Sequence, residues 1–510
     1  MLEIRDGVLT IAGMTRLNAA GRDYRLYAED GSGSKYNAEI IRYSRSDITG
    51  FLGEVITEGY RYVITIPAQN LSRITLRADI EGATVDLVPA FDKYIGLGGD
   101  CESEYIIKGG NIIRLSGGSL TFEPETMISR FMAERKYSAD MTAKEGPEWK
   151  AERKELMRHR KEVRKAPLQK RVAFVTTRSD DKLIDNTVKV YDMLDLPKVM
   201  FAKTELPHEP EYIREAERII STSKVVVTDN YLVTLRDYEK KPGQKYVQLW
   251  HSTGFAKHFG QDGSDIFPTK DALFHRDYDL VIASSDGVRY TYASAFGIPA
   301  DRVEATGSPR TDDFFNEEYI EKTKQKVMDQ HPELRDRQVI LYAPTFRDVP
   351  GVPRSRFLPE LDFGELSQQL KPDQIFVLCP HPLMTERIVP DGYDNVCEIR
   401  DITTAQMMYA ADILISDYSS VMFDYSLLRR PMAFFCYDYD GYDRDFYMDF
   451  DHDLPGPILK NQDELFDYLR QDEHPLIEDF DAFYEKNLGA CDGHSTERVV
   501  ARITDLYNED

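Results

Sequence analysis

Two histidines stand where short apolar runs stop. His251 follows the run at 246–250, in Trp250-His251-Ser252-Thr253-Gly254, and His381 follows the run at 375–378, in Pro380-His381-Pro382. Histidine's ordinary pKa of about 6.5 suits proton transfer near neutral pH. A single histidine is more often structural, but this pair comes from separate parts of the chain, and each member ends an apolar run beside proline or glycine. Arg310, Arg347 and Lys257 add cations, and arginine can hold a phosphate through two parallel hydrogen bonds. Ser419 and Ser420 precede a helix-like stretch at 421–428, and hydroxyls with backbone N–H groups at a helix start form a phosphate cradle. Asp424, one turn into that stretch, either faces the same ligand or caps the helix. Together these residue types suit an anionic donor such as a nucleotide diphosphate.

The other polar clusters obey the same rule of place. Gly307-Ser308-Pro309-Arg310 follows the short stretch 303–306, Ala343-Pro344-Thr345-Phe346-Arg347 follows 339–342, and Ser416-Asp417-Tyr418-Ser419-Ser420 follows 413–415. Parallel α/β sheets bind ligands outside the carboxyl ends of their strands. Several clusters at equivalent positions therefore imply one shared cleft. No metal or other cofactor is expected. The acidic stretch with Asp438, Asp440, Asp443, Asp445, Asp449, Asp451 and Asp453 has neither calcium-loop nor zinc-helix spacing. It reads as a solvated loop, or as a wall that orders the acceptor. The glycine–lysine loop of P-loop nucleotidases is absent from the sequence.

The elements that must position these residues follow from pattern. From residue 171 onward, short apolar runs alternate with helical stretches, the signature of parallel sheets with crossover helices. So long an α/β region predicts two Rossmann-like halves facing across a cleft, at 171–315 on the acceptor side and 316–510 on the donor side. Residues 1–122 hold 16 of the 31 glycines but only two of the 25 prolines, between short β-like runs. They predict a sandwich-like accessory domain without a catalytic constellation. Residues 123–170 predict a charged helical linker. Positions 150–171 carry ten Lys/Arg against three Glu, a local +7 in a chain whose net charge is −24. That segment is either a solvated linker or a basic helix drawn to anionic lipid or to a polyanionic product.

Composition narrows the class. A net charge of −24 argues against a nucleic-acid partner. Five scattered cysteines offer no zinc spacing and fit a reducing compartment. No apolar run approaches the roughly 20 residues of a membrane span, and the opening MLEIRDGVLT lacks the basic-then-apolar order of a signal peptide. A cytoplasmic protein is expected.

Taken in order, the motifs resemble a known family. QLWHSTGFAKHFG (248–260), GSPRTD (307–312), YAPTFR (342–347), PHP (380–382), SDYSSVMFDYSLLRRP (416–431), CYDYDGYDRDFYMDF (436–450), PGP (455–457) and DGHSTERV (492–499) are similar to the set found in CDP-glycerol glycerophosphotransferases, which include the teichoic acid primases and polymerases. The resemblance covers about residues 171–505. It implies a GT-B-like fold and transfer of glycerol phosphate or ribitol phosphate from a CDP-activated donor, with CMP released. The acceptor implied is a lipid-linked polyol-phosphate chain of a teichoic acid or capsular polymer, handled at the inner face of the cell membrane. Carried over by motif, His251 is the general base and His381 serves the pyrophosphate side. Ser252, Thr253, Gly254, Arg310, Pro344, Thr345, Arg347, Ser419, Ser420 and Asp424 line the donor site, and Lys257 meets acceptor or phosphate.

The run at 250–257 departs from the W-H-G-T-P-L-K form of many glycerol-specific relatives at Ser252, Gly254 and Lys257. This leaves glycerol, ribitol and other polyols open. The alternatives are a GT-B glycosyltransferase using a nucleotide sugar, and a non-catalytic scaffold of a polymer-assembly complex.

Overall fold

The structure is a computed structural model. It describes residues 2–5, 8–15, 24–44, 58–67, 73–80, 83–86, 105–108, 111–116, 119–124 and 147–509, apart from 205–209, 233–239, 263–274, 276, 346–359, 382–383, 385, 440–445 and 451.

Alternation makes the first domain. In the strand Glu58–Pro67, Ile64 and Ile66 are buried while Thr65 and Pro67 are exposed, the period of two that puts alternate side chains on opposite faces. One antiparallel sheet runs in the order Leu2–Arg5, Val8–Thr15, Glu58–Pro67, Glu39–Ser44. A second runs Lys35–Asn37, Tyr24–Asp30, Arg73–Ile80, Ser119–Pro124, Asn111–Ser116, Tyr105–Lys108, with Ala83–Asp86 beside Arg73–Ile80. Leu9, Ile11, Ile64 and Ile66 of the first sheet meet Leu26, Ile74, Leu76, Leu120 and Phe122 of the second in one core. Each such side chain stabilises the sandwich by about 1.5–3 kcal/mol.

Continuous apolar runs make the rest. Val172 and Phe174 point into one hydrophobic layer and Ala173 and Val175 into another, as expected for strands covered on both faces. The first parallel sheet has the spatial order Lys198–Ala202, Gln169–Thr176, Ser223–Thr228, Lys245–Gln248, Leu280–Ile282, Val303–Glu304. The second has the order Val396–Glu398, Gln374–Leu378, Gln338–Tyr342, Ile413–Ser416, Met432–Phe435, Ile458–Leu459. In each, the strand order runs both ways from the strand that comes first in the chain, Gln169–Thr176 or Gln338–Tyr342. The order switches between Gln169–Thr176 and Ser223–Thr228, and between Gln338–Tyr342 and Ile413–Ser416. A crevice opens outside the carboxyl ends at such a switch point.

The last helix packs on the first sheet. Ser495–Asn508 turns Val499, Ile503, Leu506 and Tyr507 onto Val172, Phe174, Val225 and Leu280 of the first sheet. Its apolar spacing of four, three and one residues fits a single helical stripe. By packing, this helix belongs to the first half, so the chain returns after completing the second. Asp312 accepts the N–H groups of Ser495 and Thr496 at 2.9 and 2.8 Å, which ties the GSPRTD and DGHSTERV motifs together at the helix start. The Gly307 φ of +78° places its absent Cβ against Ser495 Oγ and Ala490 O, so the motif requires glycine there.

The basic helix Pro147–Lys165 is docked on the first half. Arg160 Nε donates to Glu217 Oε1 at 2.9 Å, and Glu217 is fully buried on the helix Pro210–Thr222. Lys241 Nζ donates to the carbonyls of Val163 and Ala166 at 2.7 and 2.6 Å, satisfying the helix's C-terminal end. Lys154, Arg158, Lys161 and Lys165 are exposed at spacings of four, three and four, a stripe on the opposite side from buried Val163.

Candidate active site

His251 sits at the first switch point. The strand Lys245–Gln248 stops two residues short of the expected end at 250, because Trp250 adopts a φ of +51° and turns the chain out of the sheet. Asn186 Nδ2 holds that turn by donating to Leu249 O at 3.1 Å and Trp250 O at 3.0 Å. The indole of Trp250 stacks on the imidazole, ring centroids 4.2 Å apart. His251 Nδ1 lies 2.9 Å from the carbonyl oxygen of Asp229. A carbonyl can only accept, so Nδ1 carries the proton and Nε2 keeps its lone pair. Among the described residues Nε2 has no hydrogen-bond partner. Burial, then the nearby Arg178 guanidinium, push the imidazole down to about 4. The ring is therefore neutral at physiological pH.

The two halves meet beside this ring. Thr253 Oγ1 donates to Asp424 Oδ1 at 2.5 Å, and Arg310 forms an ion pair with Asp424 Oδ2. Arg310 Nη1 also donates to His251 O at 2.9 Å. The Arg310 N–H and Ser308 Oγ donate to Asn186 Oδ1 at 2.9 and 3.0 Å. Asp424 does not cap its helix, and both its oxygens join the halves. Gly254 fits for a related reason, since a Cβ there would lie 2.7 Å from the ring of Phe423. Ser252 Oγ donates to Gly254 O at 2.5 Å. Thr253, Arg310 and Asp424 thus join the two halves, and Gly254 packs against Phe423.

The second switch point holds the remaining candidates. Thr345 N–H and Oγ1 donate to Asp417 Oδ1 at 2.9 and 2.7 Å, while Ser416 Oγ donates to Ala343 O at 2.9 Å. These bonds fix the turns carrying Pro344, Thr345, Ser419 and Ser420. The helix beyond them is short, Val421–Ser426, and Val421 N–H already reaches Ser419 Oγ at 3.4 Å. Ser420 is exposed. His381 follows the strand Gln374–Leu378, and burial, then the charge of Lys257, push it below the ordinary histidine value. Lys257 bridges to Phe446 in a single antiparallel pair, and Tyr447 N–H donates to Ala256 O at 2.8 Å. The segment after His251 is thereby threaded into the second half. Arg347, Pro382 and Asp440, Asp443, Asp445 and Asp451 lie outside the described residues.

Arg178, Asn186 and Asp229 were missed by the sequence reading. Arg178 and Asp229 follow the ends of the strands Gln169–Thr176 and Ser223–Thr228, so the strand-end rule that selected His251 also reaches them. Among the described residues, no group of three or more His, Cys, Asp or Glu is placed to hold a metal ion.

Residues 165–505 match the model of the family described as CDP-Glycerol:Poly(glycerophosphate) glycerophosphotransferase. The chain belongs to this family. A teichoic acid poly(ribitol-phosphate) polymerase of Bacillus spizizenii is 36% identical over 292 residues, 56% of this chain and 47% of that protein. The chain thus spans about half the length of that relative. A teichoic acid ribitol-phosphate primase of the same organism is 31% identical over 358 residues, covering 66% of this chain and 92% of the primase. Among solved structures, the wall teichoic acid polymerase TagF superposes with a TM-score of 0.59 at 22% identity, over 75% of this chain and 98% of that one. That likeness identifies the family's GT-B-like architecture in this chain.

Proposed function

We propose that this member of the glycerophosphotransferase family moves a polyol phosphate from a CDP-activated donor onto a lipid-linked polyol-phosphate acceptor and releases CMP. The observation that carries the reading is the fixed tautomer of His251. Its Nδ1 is committed to the Asp229 carbonyl at 2.9 Å, which leaves the Nε2 lone pair for a substrate proton. The acceptor hydroxyl gives that proton to Nε2 as its oxygen attacks the phosphorus distal to the cytidine. The bond from that phosphorus to the bridging oxygen breaks, and the electron pair leaves with CMP. A positioned base supplies about 10²–10⁴-fold of rate.

His381, Lys257, Arg347, Thr345, Pro344, Ser419 and Ser420 serve the donor side in this reading, where hydrogen-bond donors and cations meet the charge that develops on the pyrophosphate. Arg310 acts from behind, through the His251 carbonyl. Relatives named for both ribitol phosphate and glycerol phosphate keep both polyols as candidate donors. The exposed stripe of Lys154, Arg158, Lys161 and Lys165 suits an anionic membrane surface on the cytoplasmic side, at about 1 kcal/mol per basic group. Among the described residues no helix is long and apolar enough to cross a membrane.

The deciding experiment mixes the protein with CDP-glycerol or CDP-ribitol and a lipid-linked glycerol-phosphate primer, and follows CMP. Primer-dependent CMP from one donor identifies reaction and polyol together. Silence with both, on a primer proven competent, would overturn glycerol and ribitol as the polyol and turn the reading to another CDP-polyol, a nucleotide-sugar donor or a scaffold.

A further inference from the structure

The carbonyl that fixes His251 is itself held. It belongs to Asp229, whose carboxylate is fully buried and accepts from Arg178 Nη1 at 3.2 Å. Arg178 Nη2 donates to Asp185 Oδ2 at 2.8 Å. Asp185 opens the helix Asp185–Met193 with a φ of +50°, a conformation that non-glycine residues adopt at a cost and that here keeps its carboxylate on the guanidinium. One planar fork thus joins the loops after the first and third strands of the sheet, on either side of the switch point. His251 hangs from one of them.

We propose that Arg178 is a positioning residue for His251: pinned between Asp229 and Asp185, it fixes the carbonyl that selects the Nδ1–H tautomer and sets a permanent positive charge beside the imidazole. The proposal rests on the reading of His251 as the base. The charged groups that face the ring are Arg178, Asp185 and Arg310, with Asp229 behind its own carbonyl. Burial is the largest influence and favours the neutral ring; Arg178 comes next with the same sign, and Arg310 adds to it. Asp185 and the bond to the Asp229 carbonyl oppose them. A histidine without the guanidinium would keep its burial but lose the strongest charge that excludes a second proton.

The test follows the ring directly as well as the reaction. Full-length protein labelled with ¹⁵N-histidine gives the tautomer and titration midpoint of His251, assigned against a His251→Ala sample, and CMP release gives the pH profile of kcat. In Arg178→Gln the midpoint should rise by about one unit or more, the size expected from one neighbouring charge. The acid limb of kcat should move up with it, and the alkaline plateau should survive. Arg178→Lys keeps the charge and should hold the midpoint near that of the parent.

If Arg178→Gln does not fold, the double variant Arg178→Gln/Asp229→Asn removes the pair without orphaning a buried charge and should raise the midpoint likewise. An unmoved midpoint and limb in the neutralised variant, or an equal rise in Arg178→Lys, would overturn the proposal. Continued CMP release by His251→Ala would instead defeat the base assignment, while the spectra still report on the Arg178 coupling.

Discussion

At His251, burial and the Arg178 charge act in the same direction. The ring is held neutral down to about 4, so CMP release should show no acid limb near 6.5 that belongs to this residue. A profile falling with a midpoint at 6–7, and moving with substitution of His251, would contradict the geometry. His251→Ala should lower kcat by about 10²–10⁴-fold and leave CDP-polyol affinity within about tenfold, since a base acts mainly in the transition state; calorimetry beside turnover separates the two. His275, fully buried, is pushed down to about 3 by desolvation. Both rings titrate lower in the fold than in the unfolded chain, near 6.5. The unfolded chain therefore binds protons first as pH falls, and their combined effect lowers stability from about pH 6.5 toward 4. Urea midpoints at pH 7 and pH 5 should differ in that direction, and His275→Gln should flatten the difference.

At the scale of elements, the loop 251–257 and the helix Val421–Ser426 hold the halves in contact. Phe423 packs on Gly254 with no room for a Cβ. Gly254→Ala should therefore cost about 1–3 kcal/mol through overpacking and reduce turnover, and Phe423→Leu in the same chain should restore part of both. Restoration of neither would place the fault outside this contact. Asp424→Ala strips the partner from Arg310 and from Thr253. Loss of one member of a buried pair costs about 3–5 kcal/mol, and a melting curve should report it before any assay does.

At the scale of the whole molecule, the returning helix Ser495–Asn508 joins the two halves. A chain ending after residue 494 would uncover Val172, Phe174, Val225 and Leu280 and should be insoluble or molten; a soluble, cooperatively melting product would refute the packing. The basic stripe on Pro147–Lys165 predicts binding to anionic liposomes that weakens with salt. Replacing Lys154, Arg158, Lys161 and Lys165 with Gln should abolish co-sedimentation while CMP release on a soluble primer analogue persists. Equal sedimentation of parent and variant would leave the helix a docked strut.

The apolar runs of the α/β region were legible because a strand buried on both faces needs uninterrupted apolar residues, and its end is where polar chemistry begins. That rule set His251, His381, Thr345 and the Ser419-Ser420 pair just beyond strand ends, where the structure also has them. The sandwich was legible from its short β-like runs and its glycine usage, both of which are local. What tertiary structure decided was partnership across long separations. Thr253 meets Asp424 across 171 positions, and Asp312 meets Thr496 across 184. Asp424 is polar in sequence whether it faces a ligand or a neighbour; only the approach of Thr253 and Arg310 makes it a lock. The last helix is amphipathic in sequence, but an apolar stripe does not name the sheet that will bury it. Periodicity sets which face of an element is apolar, whereas the partner is chosen by packing the whole chain at once.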